Sequence, residues 1–373
     1  MPVPARQPEG DTVRYAVVGA GWISQAAFMP GAANTGNSAI TAMVTSDQKK
    51  AEALGKRYGI ERAYHYDAFR AALDANTFDA IYLATPNDQH LQFAVPALEA
   101  GVHVLLEKPM AVSEAECAAI TAAATSSGAK LMIAYRLHFE PATLEAIRIE
   151  QSGVLGRVWH FASTFTQHVS KANHRASHGY WAGPVPDMGT YPINAARNLF
   201  RAEPIEVMAV GVRTPHLGYN FHDTVAVTLR FPGERLAQFT VGYGLNAVNE
   251  YRVMGDKGDL HVLKGYAFPG PITHELTVGE SKTTRAFGPH DQFGAETKYF
   301  SDCILHDRDP EPDAEEGMLD VRILAAIERA LQTGQKQELP PRYRTKHPLP
   351  DQAIELPPIK VPPLVNAAEP SEG

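Results

Sequence analysis

Tyr15-Ala16-Val17-Val18-Gly19-Ala20-Gly21-Trp22-Ile23-Ser24 reads as a short apolar strand running into a glycine turn, with a helical run following through Trp22–Ala33. Glycine at 19 permits the tight turn, and glycine at 21 lets the backbone approach a pyrophosphate. The helix that opens at Trp22 and Ile23 then points unpaired N–H groups and its positive dipole end at the phosphates. Ser24 stands where a third glycine is usual, so the helix is expected slightly farther from the strand.

Outward from this loop, apolar strands at Ala39–Val44, Ala80–Ala84, Val102–Leu106 and Leu131–Ala134 alternate with helical runs at Asp47–Tyr58, His90–Ala100 and Ser113–Ser127. Ser113 with Glu116 three residues on is a capping box. The alternation predicts an α/β, doubly wound Rossmann domain over residues 13–135. Beyond it the period changes. Val225, Val227, Leu229 and Phe231 alternate with Thr224, Thr228 and Arg230, which makes a strand with one buried face. Arg235–Gly242, Tyr251–Gly255 and Asp259–Leu263 read alike, with turns at Gly233-Glu234 and Asp256-Lys257-Gly258. Residues 136–334 are therefore expected as an α+β domain with an open, largely antiparallel sheet. An amphipathic helix over Glu315–Thr333 carries Leu319, Ile323, Ile327 and Leu331 on one stripe and stops at Gly334. Residues 1–12 read as a disordered leader without the apolar segment of a signal peptide. Residues 335–373 are rich in proline and expected to be extended, either as a floppy tail or as an arm packed along the sheet or a neighbouring subunit.

At 373 residues and 44% hydrophobic, the chain is long enough for two cores. A formal charge of −8 argues against nucleic acid or an anionic membrane as partner. No apolar run reaches the roughly 20 residues of a transmembrane helix. Cys117 and Cys303 have no metal or redox spacing and are expected as small buried residues in a reducing, cytoplasmic setting. His160, His168, His174 and His178 lack ligand spacing with an acid, so no metal is expected.

The end of the second strand, where an acid grips the ribose 2′-hydroxyl of NAD, reads Val44-Thr45-Ser46-Asp47-Gln48-Lys49-Lys50. Thr45 and Ser46 hydroxyls with the Lys50 ammonium suit a 2′-phosphate. NADP is the expected cofactor, with NAD possible because Asp47 argues the other way. Glu107-Lys108-Pro109 ends a buried strand, the edge at which open α/β sheets bind ligands, so Lys108 is expected at the nicotinamide. Tyr135-Arg136-Leu137-His138-Phe139 suggests a cleft wall, although His138 alone reads as a hydrogen-bonded structural histidine sooner than a base. Asp187 and Tyr191 stand one turn apart at the head of a helical run, Ile193–Phe200.

The glycine loop, Thr85-Pro86-Asn87 with His90, Glu107-Lys108-Pro109 and the D-x-G-x-Y of Asp187–Tyr191 occur in the order seen in the Gfo/Idh/MocA oxidoreductases, and the chain resembles that family from about Arg14 to Gly334. Tyr135-Arg136-x-His138-Phe139, the tyrosine at 191 and Glu315-Glu316-Gly317-Met318-x-Asp320-Val321-Arg322 are most similar to its glucose–fructose oxidoreductase branch. The resemblance implies a sugar or polyol substrate and catalysis by Lys108, Asp187 and Tyr191. It implies that Tyr135 and His168 join them at the substrate. Thr85, Asn87, His90, Glu107, Lys108, Arg136 and Trp181 would then line the nucleotide. It further implies that helix 315–333 returns to the Rossmann domain and that a homodimer or homotetramer forms through the C-terminal sheet. A phenol titrates near pH 10, so Tyr191 would serve as acid/base near neutrality where the Lys108 ammonium favours phenolate. The expected function is an NADP-dependent aldose dehydrogenase or a sugar–sugar hydride-transfer enzyme. The alternative is a reductase of a keto-sugar, anhydro-sugar, other cyclic polyol or dicarbonyl. A sensor without turnover is disfavoured by the intact catalytic set. Trp181 is kept but no arginine follows it, and no long arm precedes the Rossmann domain, which fits an ordinary dehydrogenase with a dissociable nucleotide.

Overall fold

In the computed structural model, which describes residues 3–171 and 173–371, the chain forms two units. Met1–Arg136, Asp291–Val321 and Glu355–Ala368 make the first; Leu137–His290, Arg322–Ile354 and Glu369–Gly373 make the second. Among the described residues no helix is long and apolar enough to cross a membrane.

The first unit holds β1 (Val13–Val18), α1 (Met29–Ala32), β2 (Ser38–Val44), α2 (Gln48–Tyr58), β3 (Arg62–Tyr64), α3 (Phe69–Asp74), β4 (Ala80–Leu83), α4 (His90–Glu99), β5 (His103–Glu107), α5 (Glu114–Ser127) and β6 (Leu131–Ala134). The strands form one parallel sheet in the order β3-β2-β1-β4-β5-β6. Its central strands are buried on both faces, which is why they read as continuous apolar runs without alternation. Asp47 caps α2 by accepting from the Lys50 backbone N–H at 3.0 Å. Ser113 caps α5 by accepting from the Glu116 N–H at 3.2 Å. The Glu116 carboxylate reaches back one residue beyond the usual box, to the Val112 N–H at 3.3 Å. The helix expected over Trp22–Ala33 is not uniform. Ser24–Phe28 is wound wider, as a π-turn, before α1 tightens, a distortion found often beside functional sites.

The second unit contains α6 (Pro141–Gln151), β7 (Val158–Gln167), α7 (Thr190–Phe200), β8 (Glu206–Val212), β9 (Thr224–Phe231), β10 (Arg235–Tyr243), β11 (Val248–Gly255), β12 (Gly258–Leu263), β13 (Ile272–Val278) and β14 (Ser281–Phe287). These strands and β15 (Gln337–Glu338) form a sheet in the order β14-β13-β12-β11-β7-β10-β9-β8-β15. It is antiparallel except at its centre, where β7 and β10 run parallel. Val225, Val227, Leu229 and Phe231 face the core as the alternation required. Arg197 and Glu203 form an ion pair at 2.7 Å that is almost wholly buried under α7.

Three boundaries differ from those expected. Asp291–Val321, which includes α8 (Gln292–Leu305) and the first turns of α9 (Ala314–Thr333), belongs to the first unit, and only Arg322 onward of α9 belongs to the second. The cause is close packing of glycines: a Cβ on Gly31 would stand 2.8 Å from the Gly294 nitrogen, so α1 and α8 approach where neither has a side chain. Residues 3–12 are not loose, because Arg6 donates to the carbonyls of Phe78 at 2.6 Å and Leu73 at 2.5 Å, and its backbone pairs with Gly101 and His103. Of the C-terminal arm, β15 (Gln337–Glu338) stays in the second unit, while Glu355–Ala368 is docked in the first.

His274 on β13 is 3% exposed, and burial pushes its pKa down from 6.5 to about 4. Between those two values the unfolded chain takes up a proton that the folded chain refuses, so stability falls as pH drops through that window, by up to about 3 kcal/mol. Urea midpoints at neutral pH and near the lower value should show this loss in the wild type and a smaller one in His274→Gln.

Candidate active site

β1 ends against β4, and the turn between strand and helix is fixed there. Gly19 has φ +94°, and a Cβ on it would stand 2.6 Å from the Ala84 carbonyl oxygen. Ser24, in place of the third glycine, is buried and donates its hydroxyl to the Gly19 carbonyl at 2.5 Å, so the serine ties the loop down. Gly21 has open space where a Cβ would be. Trp22 and Ile23 are half-buried beside it. Thr85, at the end of β4, keeps a buried hydroxyl with no partner among the described residues. An accessible backbone cradle and an orphaned buried hydroxyl fit a group that brings acceptor oxygens to this edge. The pyrophosphate and ribose of a dinucleotide are such a group.

At the end of β2, Thr45 is buried, Ser46 exposed and Lys50 half-buried, all beside the helix cap Asp47. Asn87 is half-buried in the turn before α4. His90 is fully buried: one ring nitrogen lies 3.1 Å from the Thr85 carbonyl and the other 3.1 Å from that of Pro109. Burial lowers its pKa against the pull of those carbonyls. His90 therefore braces the 85 loop to the 109 loop and presents no nitrogen to a ligand.

Glu107 accepts from the Tyr82 hydroxyl at 2.6 Å, and half-exposed Lys108 follows it. Burial raises Glu107 while Lys108, Tyr82 and Arg136 oppose the shift. Buried Glu296 on α8 is pushed well above the carboxylate range by burial and then by Glu107. Arg136 is buried, donates to the Gln292 side chain and lies over the Phe293 ring. Tyr135 buries its ring and donates to Asp320 at 2.7 Å. Arg136 and Tyr135, expected along nucleotide and substrate, are engaged by helices α8 and α9 in this unit.

In the second unit Asp187 accepts from the Tyr243 hydroxyl at 2.8 Å and pairs with the Arg175 guanidinium at 3.5 Å. Tyr243 ends β10; it is fully buried, and burial followed by the Asp187 charge pushes its phenol well above its ordinary pKa. Tyr191 is four residues on, half-buried, set edge-on to Phe165 at 5.4 Å and tilted against Tyr266 at 5.7 Å. Trp181 stacks edge-on with Tyr180, and its indole pairs with Glu328 of α9. Tyr180 itself is committed to the Leu324 carbonyl at 2.7 Å. His168 lies exposed just past β7. His138 is structural: it is buried and bonded to Asn194 at 2.7 Å, next to a chain through Asn198 to His347. Arg175 and Tyr243 were not singled out from sequence; Tyr243 ends an alternating strand, the place where such a residue reaches a site. Among the described residues no three His, Cys, Asp or Glu side chains converge as a metal site, and the side chain of His174 lies outside them.

An oxidoreductase built on a nucleotide-binding Rossmann domain is the class these features define. Residues 13–135 match the model of the GFO/IDH/MocA oxidoreductase family with NAD-binding Rossmann fold, and residues 143–261 match the GFO/IDH/MocA C-terminal domain. The crystal structure of the aldose-aldose oxidoreductase from Caulobacter crescentus, complexed with glycerol, is 32% identical with a TM-score of 0.83, covering 88% of this chain and all of that one. The D-xylose 1-dehydrogenase [NADP(+)] of Haloarcula marismortui is 28% identical over 334 residues, 86% of this chain and 91% of that protein. A 3-ketoreductase from Actinomadura kijaniata, solved with NADP and TDP-benzene, shares the fold at 23% identity and a TM-score of 0.79, covering 86% and 98%. The chain belongs to the GFO/IDH/MocA oxidoreductase family.

Gly19→Ala forces the loop off Ala84 and out of register with the phosphates. Nucleotide affinity in a fluorescence titration should fall about ten-fold or more, with native circular dichroism retained.

Proposed function

We propose that this protein is an NADP-dependent oxidoreductase of sugars, an aldose dehydrogenase or a sugar–sugar hydride-transfer enzyme. The observation that carries this reading is that two relatives named for aldose substrates each match more than four-fifths of the chain, across both units. A bound nicotinamide would supply the acceptor for a hydride from the carbinol carbon of the substrate. Tyr191 Oη takes the proton of the hydroxyl being oxidised. Lys108 donates to the substrate oxygen. Asp187, held by Tyr243 and Arg175, accepts from a neighbouring sugar hydroxyl and fixes its orientation. Run in the other direction, with the hydride coming from a reduced nicotinamide, the same groups would protonate the oxygen of a keto-sugar, the second reading. Thr45, Ser46 and Lys50 take the 2′-phosphate; Gly19, Gly21, Trp22, Ile23, Thr85 and Asn87 take the rest of the nucleotide; His168 and Trp181 flank the substrate. His90, Glu107, Arg136 and Tyr135 act one step back, holding the loops that carry these groups.

A panel of aldoses with NADP and NAD tests the reading. Tyr191→Phe and Lys108→Met should lower kcat by about 10²–10⁴, and Tyr191→Phe should leave the nucleotide Kd unchanged. Near-normal turnover in Tyr191→Phe would remove Tyr191 from its role.

We further infer a cytoplasmic homodimer or homotetramer joined through the C-terminal sheet. Both cysteines are buried free thiols, and burial pushes the Cys117 thiol up to about 12, which suits a reducing compartment. The outward face of β8 exposes Met208, Val210 and Val212, with Val210 74% exposed. An apolar row at that exposure is what an interface covers. In light scattering, Val210→Asp should shift the protein toward a smaller species with an unchanged monomer fold.

A further inference from the structure

Glu355–Ala368 is proline-rich and extended, and it is tied to the first unit at points far apart in sequence. Leu356 accepts from the Asp291 backbone at 3.1 Å, Pro357 from Asn34 at 2.9 Å and Pro363 from Arg57 at 2.7 Å. The strongest clamp is at Val365. The fully buried Gln25 amide donates to the Val365 carbonyl at 3.0 Å and accepts from its N–H at 2.8 Å. The same amide nitrogen donates to the Ala20 carbonyl inside the glycine loop at 2.9 Å. One side chain therefore couples the arm to the phosphate loop.

The next residue, Asn366, has φ +45° and donates from Nδ2 to Asp47 Oδ2 at 2.9 Å. Asp47 Oδ1 already accepts from the Lys50 N–H. Each oxygen of the one acid at the end of β2 thus already accepts a donor of this chain. The Lys50 N–H and then Asn366 hold the Asp47 carboxyl below its usual range. An acid there that is open to ligand grips a ribose 2′-hydroxyl and repels a 2′-phosphate. Thr45, Ser46 and Lys50 stand beside it with the opposite preference.

We propose that Pro363–Asn366 is a built-in wall of the nucleotide's 2′ end. It is clamped to the glycine loop through Gln25 and engages Asp47 through Asn366, so that Asp47 is less available to grip a 2′-hydroxyl and the preference moves toward a 2′-phosphate held by Thr45, Ser46 and Lys50. The proposal rests on the nucleotide reading above and adds Asn366 and Gln25 as positioning residues for cofactor choice.

The test is a fluorescence titration of the full chain with NADPH and with NADH, without substrate, in wild type, Asn366→Ala, Asp47→Ala and the double variant. Asn366→Ala uncovers one Asp47 oxygen, so the preference for NADPH over NADH should fall about ten-fold. In the Asp47→Ala background the same substitution should change that preference by less than about two-fold, because nothing remains to be masked. An unchanged preference in Asn366→Ala overturns the proposal, as does an equal change with and without Asp47. Those outcomes leave the nucleotide reading intact as long as the wild type prefers NADPH. A wild type that binds neither nucleotide, or prefers NADH, overturns both.

Discussion

At Gly19 the chain leaves β1 with φ +94°, and its Cα passes so close to Ala84 that a methyl group would meet the carbonyl oxygen at 2.6 Å. The rest of the nucleotide edge is organised around that approach. It brings the ends of β1 and β4 together, so that Thr85 and the glycine loop face the same side. Ser24 holds the approach shut by bonding back to Gly19. His90 carries it across to the 109 loop and so to Lys108. A side chain at 19 would have to push one of these strands away, and the sheet on either side leaves no room.

The second unit solves a different problem, that of holding a half-buried carboxylate in one orientation. Asp187 sits on the turn that opens α7, and a lone carboxylate there would be free to swing. Tyr243 from β10 and Arg175 from the loop after β7 restrain it from two directions, one by a hydrogen bond and one by charge. Burial of Tyr243 means that its hydroxyl stays protonated and remains a donor. Phe165 and Tyr266 bound the Tyr191 ring from two sides. Rigid rings and a doubly held acid set the geometry before any substrate arrives.

The parts legible in the sequence are those whose signal is local. The strand–glycine–helix transition at 15–24, the alternation at 224–231 and the stripe of α9 follow from period and from turn chemistry at single positions. β3, with only Arg62, Ala63 and Tyr64, is too short and polar to carry a period, and β14 is polar along almost its whole length. Nothing local marks α8 as part of the first unit, because it packs against α1 where two side chains are absent, at Gly31 and Gly294, some 260 positions apart. Lys108, Asp187 and Tyr191, the residues proposed for catalysis, stand out in the sequence through motifs. The turning of Tyr135 to Asp320 and of Arg136 to Gln292 was not, since nothing at 135–139 indicates which side of the chain its partners lie on.

Asp47 shows the same limit more sharply. Its type and position argue for a 2′-hydroxyl, while its neighbours Thr45, Ser46 and Lys50 argue for a 2′-phosphate, and no local pattern arbitrates between them. The arbiter is Asn366, 319 positions away, in a segment whose composition says only that it is extended. Proline-rich chain docks through its carbonyls, as Pro357 and Pro363 do here, and carbonyls are the same in every residue. A long-range polar contact to backbone leaves no periodicity behind, so its effect on an acid can be seen only once the two are side by side. That is why a carboxylate whose type argues for a 2′-hydroxyl offers less to one when each of its oxygens already accepts a donor.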